Sequence, residues 1–209
     1  MILQKERFRA NLVLLNDVLQ ASDIASDYWI WGGLLLGWAR ERQILDHDCH
    51  DADFAFLSRD SERFRQSMGR LIQAGFEPLA CWVNNAHEIT EYTFAKDDAK
   101  FEFFEMHQTG DTMRFFTYSP AAALQTTNLI RAHGLEIIDF LGRRWLKPAD
   151  HDSYLTDLYG DWRKPDPSWD WLEDDKSIRE VARWVGTTLP IADRAAGAAL
   201  DSHAGRLQP

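Results

Sequence analysis

Apolar and polar positions divide the chain into a helical first third, a strand-rich middle and a less regular end. Residues 3–22 carry Leu3, Phe8, Leu12, Leu15, Val18 and Leu19 at three- and four-residue spacings. That pattern predicts an amphipathic helix closing near Ser22-Asp23 and covering one face of a sheet. Tyr28 to Trp31 reads as a short apolar strand, Gly32-Gly33 as a tight turn, and Leu34 opens an amphipathic helix. After a polar loop, a second strand holds Asp51-Ala52-Asp53 and the apolar Phe54, Ala55 and Phe56. Ser58 to Asp60 begin the next helix, with Phe64, Met68, Leu71 and Ile72 on one side and Gly75 as its stop.

From Phe76 to Tyr118 the period changes to two. Glu88 to Phe94 alternates, Lys96-Asp97-Asp98-Ala99 is a hairpin turn, and Lys100 to Met106 returns as a strand. Gly110-Asp111 turns the chain again before Met113 to Tyr118, which makes an antiparallel meander. Beyond it the sequence predicts a strand at Glu136–Phe140, a turn at Leu141–Trp145 and a helix over Asp150–Tyr159 stopped by Gly160. An ordered loop rich in tryptophan and proline spans Asp161–Trp171, and a last helix covers Asp175–Leu189. No linker separates the helical and strand-rich parts. The expectation is one α/β (α+β) domain over residues 1–190, a mixed and largely antiparallel sheet flanked by helices. Residues 191–209 are small and polar and are expected to be a flexible tail.

Composition narrows the possible functions. With 209 residues, 45% hydrophobic and 27% charged, the chain is an ordinary globular one with enough length for a core. A net charge of −10 argues against an extended nucleic-acid surface, which needs a basic face. No apolar run is long enough to cross a bilayer, and MILQKERFRANLV has charges where a signal peptide needs its apolar core. The two cysteines, Cys49 and Cys81, form no framework, so a reduced, cytoplasmic setting is expected.

The chemistry gathers around the strand–helix–strand unit from Tyr28 to Leu57. A glycine turn that opens a helix offers unpaired backbone N–H groups to an anion, so Gly32 and Gly33 are expected to face phosphate. Asp51 and Asp53 share one face of a strand because side chains alternate at period two. Adjacent hard oxygen donors suit Mg²⁺ or Mn²⁺, with coordination places left for phosphate oxygens. Glu102 stands among phenylalanines in a strand that otherwise reads as core, where an unpartnered carboxylate is costly. It is the expected third ligand or the base for an attacking hydroxyl. Glu105, three residues along, points to the other face. Arg40, near the end of the helix, is placed to reach a phosphate, with Arg42 as its solvated counterpart. In the loop Asp46-His47-Asp48-Cys49-His50, Asp48 is a further candidate ligand; the spacing matches no zinc pattern.

These residues resemble the LicD/fukutin family of polymerase-β-type nucleotidyltransferase folds. Tyr28 to Arg40 is similar to that family's "yWl-GGtLLGavR" block, and Ile44 to Phe54 to its "fIPhDdDiDf" block. Glu91 to Phe104 resembles the hairpin ending in "KiDlFf", which sets Glu102 where the family has aspartate. Phe140 through Pro148, then Tyr154-Leu155 and Tyr159 to Trp162, resembles the closing "FlG…vP…yL…YGdW" segment, so the likeness runs to about Trp171. The departures are an acidic loop one residue longer, with Cys49 and His50 where acids are common, and Leu34 in place of threonine.

The resemblance implies a metal-dependent phosphotransferase moving phosphocholine or a polyol phosphate from a CDP-linked donor to a hydroxyl of a glycan or small acceptor. Asp51, Asp53 and Glu102 would be its catalytic set, with Asp48 as a further metal ligand. The same metal site would serve nucleotidyl transfer from an NTP to a small acceptor. A degenerate domain that binds nucleotide or glycan without turnover is the third reading.

Overall fold

The computed structural model describes residues 2–191. The expected tail falls almost wholly outside them. Helix α1 (Ile2–Gln20) buries Phe8, Asn11, Leu12, Leu15, Asn16 and Leu19 on one stripe, as its spacing predicts. Strand β1 (Tyr28–Ile30) leads into helix α2 (Gly32–Glu41), and strand β2 (Asp51–Leu57) leads through a single 3₁₀ turn at Ser58–Asp60 into helix α3 (Ser61–Gln73). Gly32 and Gly33 therefore form the first turn of α2 and do not precede it. The side of α3 that meets the sheet carries Phe64, Met68 and Leu71, as its period requires.

The strand-rich middle contains β3 (Glu77–Val83), β4 (Ile89–Lys96), β5 (Ala99–Thr109), β6 (Thr112–Ser119) and β7 (Leu124–Arg131). Then come the hairpin β8 (Leu135–Phe140) with β9 (Arg143–Pro148), helix α4 (His151–Tyr159), one helical turn α5 (Trp171–Asp174), and strands β10 (Ile178–Arg183) and β11 (Thr187–Leu189). Among the described residues the main sheet runs β10-β7-β6-β5-β4-β3-β11, and β2 joins it through β5 with β1 beyond it. The architecture is mixed α+β, with a largely antiparallel sheet.

The exception to antiparallel order is the contact that matters most. β2 pairs with β5 in parallel, with Asp51 opposite Lys100, Asp53 opposite Glu102 and Phe54 opposite Phe103. Both strands are buried on their core faces, with Ala52, Phe54, Phe56, Phe101 and Phe103 each fully enclosed. That burial fixes the register, since a one-residue slip would turn all of those side chains toward solvent.

The structure overturns two expectations for the last third. Only Leu141-Gly142 turns the chain; Arg143 to Trp145 belong to β9, where Trp145 is 1% exposed and stacks on Phe54 at 6.1 Å. Asp175 to Leu189 is not a helix. It supplies β10, which pairs with β7, and β11, which pairs with β3. Ile178, Val181 and Val185 in it are β-branched, and two open sheet edges take up its backbone pairing. Strand β7, which the hydrophobic pattern does not reveal, buries Gln125, Thr126 and Asn128. Polar partners make this possible: Thr126 with Thr117 at 2.6 Å, and Asn128 Nδ2 donating to Ser177 Oγ at 2.9 Å.

Candidate active site

Parallel pairing of β2 with β5 places a D-x-D face beside a K-x-E face. Carboxylate oxygens of Asp51, Asp53 and Glu102 all lie within 4.8 Å of one another. The Lys100 ammonium, which hydrophobic patterning gives no reason to notice, stands 3.3 Å from Asp51 and 3.1 Å from Glu102. One cation is set against this group and against Glu91, a further buried acid on the neighbouring strand. Depth in the protein pushes the Asp53 carboxyl well above its ordinary range, and the charges of Asp51, Glu102 and Asp48 push it further. Burial raises Glu102 as well, with Asp51 adding to the shift and Lys100 opposing it. Oδ1 of Asp51 is buried without a hydrogen-bond partner among the described residues. Crowded carboxylates, one of them with an unused oxygen, form a donor set that fits a hard divalent cation.

The double glycine has a steric reason. A Cβ on Gly32 would sit 2.0 Å from Oδ2 of Asp53, and one on Gly33 would sit 1.9 Å from Oδ2 of Asp48. Gly32 also has φ +51, which L side chains seldom adopt. The start of α2 thus approaches the acids more closely than any side chain allows. No side chain caps this helix, so its first N–H groups are left to whatever enters the cleft. Asp48 stands outside the three-carboxylate group, against Gly33, where burial raises its carboxyl.

Arg40 lines the same cleft, but its Nε donates to the Trp162 carbonyl and its Nη2 to that of Lys164 at 3.3 Å. It ties down the tryptophan loop, so two of its donors are not available to phosphate. Arg42 covers the Trp38 ring at 3.9 Å and stays away from the acids. The cations that join Arg40 along the cleft are Lys100, Lys164 and Lys176.

The cleft measures about 1080 Å³. The acids and the α2 start form one side, the loop from Asp161 to Trp171 another, and Trp31, Trp82, Phe104 and Tyr118 an aromatic wall. That volume exceeds what most small-molecule sites need.

Residues 25–149, more than half of the chain, match the family model of the LicD/FKTN/FKRP nucleotidyltransferase domain. The chain belongs to that family. The match takes in the double glycine, both aspartates and Glu102, and it ends before the tryptophan loop, short of the Trp171 to which the motif likeness extends. No curated protein matches this LicD-family chain significantly. Among solved structures it is similar to the lincomycin-bound lincosamide antibiotic adenylyltransferase LnuA, at 12% identity and a TM-score of 0.40. That likeness covers 70% of this chain and 83% of the other.

Glu105, on the opposite face of β5 from Glu102, has a different role. It is 7% exposed, and burial pushes its carboxyl up to about 7, a shift that Ser61 and Arg65 only partly offset. The folded protein therefore favours the protonated form, while the unfolded chain ionises near 4.5. Stability from this group is full below pH 4.5 and is lost as pH rises to 7. At 1.36 kcal/mol per unit the loss is about 3 kcal/mol. Glu105→Gln should match the wild-type melting temperature near pH 4.5 and exceed it above pH 7. Parallel melting curves across that range would show that Glu105 is not the cause.

Proposed function

We propose that this LicD-family domain is a metal-dependent phosphotransferase that moves a phospho-alcohol from a CDP-linked donor to a hydroxyl of a glycan or small acceptor. The reading is carried by one observation: Asp51, Asp53 and Glu102 converge beside an uncapped helix start at the side of a large cleft. Asp51, Asp53 and Glu102 would hold Mg²⁺ or Mn²⁺, which when bound supplies charge to offset the donor's diphosphate and its developing negative charge. The N–H groups of Gly32 and Gly33 would then receive phosphate oxygens with the positive end of α2 behind them. Lys100, half-exposed at the cleft, adds a positive charge on the same side.

Burial makes Glu102 hold a proton more tightly than an ordinary glutamate does. As the alternative to ligating the cation, Glu102 would take the proton from the attacking hydroxyl. Arg40 acts at one remove, by fixing the loop at Trp162 and Lys164 that closes the cleft. Catalysis of this type is positioning plus electrostatics, which agrees with a site built from fixed backbone and crowded acids.

The test is product analysis with purified protein. CDP-choline and CDP-ribitol are each offered with Mg²⁺ and a hydroxyl acceptor, and CMP is measured; CTP and ATP are offered in parallel, and pyrophosphate is measured. CMP release that stops on chelation is the expected result. Pyrophosphate from an NTP without CMP from either donor would replace this reading with nucleotidyl transfer, and no product from any would leave a binding domain.

A further inference from the structure

Tyr159 is the last residue of α4 and lines the cleft. Its ring meets that of Trp169 in the tryptophan loop at 4.9 Å, which gives the ring a packing role. The hydroxyl has no such role, and a survey of the five tyrosines sets it apart. Tyr28 accepts a hydrogen bond from Asn16 at 3.0 Å, and Tyr118 shares one with Thr90. The hydroxyls of Tyr92 and Tyr154 are sealed in the interior without a partner. That of Tyr159 makes no hydrogen bond with any described residue and is not sealed, so it opens to the cleft. Tyrosine hydroxyls in enclosed places usually find a partner, and this one is left for a ligand.

Its surroundings indicate what kind of ligand. Burial raises the hydroxyl well above the ordinary phenol range, the charges of Asp53, Asp48 and Asp175 raise it further, and Arg40 opposes them. The group is therefore a neutral O–H donor at any working pH. Asp53 and Asp48 are also the two acids that the start of α2 approaches, at Gly32 and Gly33 respectively. The hydroxyl from α4 and the first N–H groups of α2 are thus gathered around one pair of carboxylates. A cation held by the acids brings phosphate oxygens with it, and a fixed O–H donor is matched to one of them.

We propose that Tyr159 is a further catalytic residue, whose hydroxyl donates a hydrogen bond to a non-bridging oxygen of the substrate's phosphate. The inference rests on reading this cleft as the transfer site. Ring and hydroxyl then have separate roles: the ring packs on Trp169, and the hydroxyl meets the substrate.

The experiment uses the full chain with Tyr159→Phe and Tyr159→Leu, and inorganic pyrophosphate with Mg²⁺ as the probe, followed by calorimetry. Tyr159→Phe keeps the ring and takes no hydrogen bond from any described residue, so its melting temperature should not fall. Its Kd for pyrophosphate should rise about tenfold or more, as expected for losing a hydrogen bond to a charged group. With a donor that yields CMP, kcat should fall about 10²-fold while the acceptor KM stays unchanged. Tyr159→Leu should show the same losses together with a lower melting temperature, because the contact with Trp169 goes too. Unchanged pyrophosphate affinity in Tyr159→Phe, or no pyrophosphate binding by the wild type, would overturn the proposal. Losses confined to Tyr159→Leu would overturn it as well and make Tyr159 a packing residue of the loop.

The two readings fail separately. Pyrophosphate binding that depends on the hydroxyl, with no CMP released from any donor, would remove the transfer reading and keep the phosphate contact. CMP release at the wild-type rate in Tyr159→Phe would do the reverse.

Discussion

Asp53→Asn is expected to reduce turnover by about 10³-fold or more, roughly 4 kcal/mol of barrier, while leaving the metal-free protein at least as stable as wild type. The two outcomes have one cause. Asp53 sits deep in the site with Asp51, Glu102 and Asp48 acting on it, so its ionised form is disfavoured before any cation arrives. Asparagine keeps the shape and removes the repulsion. An acid whose folded affinity for protons is raised costs stability at any pH above its unfolded value, and neutralising it returns that stability. At neutral pH the metal-free variant should therefore melt at or above the wild-type temperature, by about 2 to 4 °C for each kcal/mol gained. It should also lose most of the stabilisation that Mg²⁺ gives the wild type, because that gain follows affinity for the folded state. Unfolding of Asp53→Asn, or full activity in it, would show that the carboxylate holds the fold or has no part in the chemistry. The critical measurement is paired: turnover, and melting temperature with and without Mg²⁺.

How much of this site could be read from the sequence depends on which force fixed each piece. Asp51 and Asp53 share a face because a strand alternates at period two, and Glu102 and Glu105 point apart for the same reason; these are local rules. The pairing of β2 with β5 is not local. Nothing in either segment says that Asp53 should face Glu102 and Asp51 face Lys100, since two strands some fifty residues apart meet in parallel only once the whole sheet forms. Local pattern does not single out Lys100 for that reason, although it occupies the lysine position of the "KiDlFf" block. Glu91 is hidden from local pattern because one charge in an alternating strand reads as the solvent face, and here that face is the wall of a cleft. Arg40 had the right address and different partners: the carbonyls of Trp162 and Lys164 come from a loop more than a hundred residues away.

The same division explains the fold. Helices α1 and α3 carry clear apolar stripes and were legible, as was the two-residue turn Asp97-Asp98 between Lys96 and Ala99. Strand β7 was not, because its interior is filled by Thr126 and Asn128, whose burial depends on partners at Thr117 and Ser177. The segment from Asp175 to Leu189 has weak local preferences, and open sheet edges at β7 and β3 decided its conformation.

Gly32→Ala is the substitution expected to damage fold and activity together, and it tests whether the double glycine is a steric requirement of the acids. The added methyl would lie 2.0 Å from Oδ2 of Asp53, so either the carboxylate or the start of α2 must move. The backbone at φ +51 adds its own penalty for any L side chain. Left-handed strain and forced overpacking together come to roughly 2 to 5 kcal/mol, a fall in melting temperature of about 10 °C. Turnover should fall as far as in Asp53→Asn, since the ligand is displaced. Gly33→Ala should be milder: Gly33 does not have a positive φ, and the carboxylate it meets, Asp48, belongs to a loop that can give way. A double-mutant cycle decides between clash and strain. If contact with the carboxylate is the cause, Gly32→Ala will cost less in an Asp53→Ala background, by about 1 to 3 kcal/mol. Equal cost in both backgrounds would assign the whole effect to the backbone. An active Gly32→Ala protein with an unchanged melting temperature would remove the close approach of helix and acid from the account of this site.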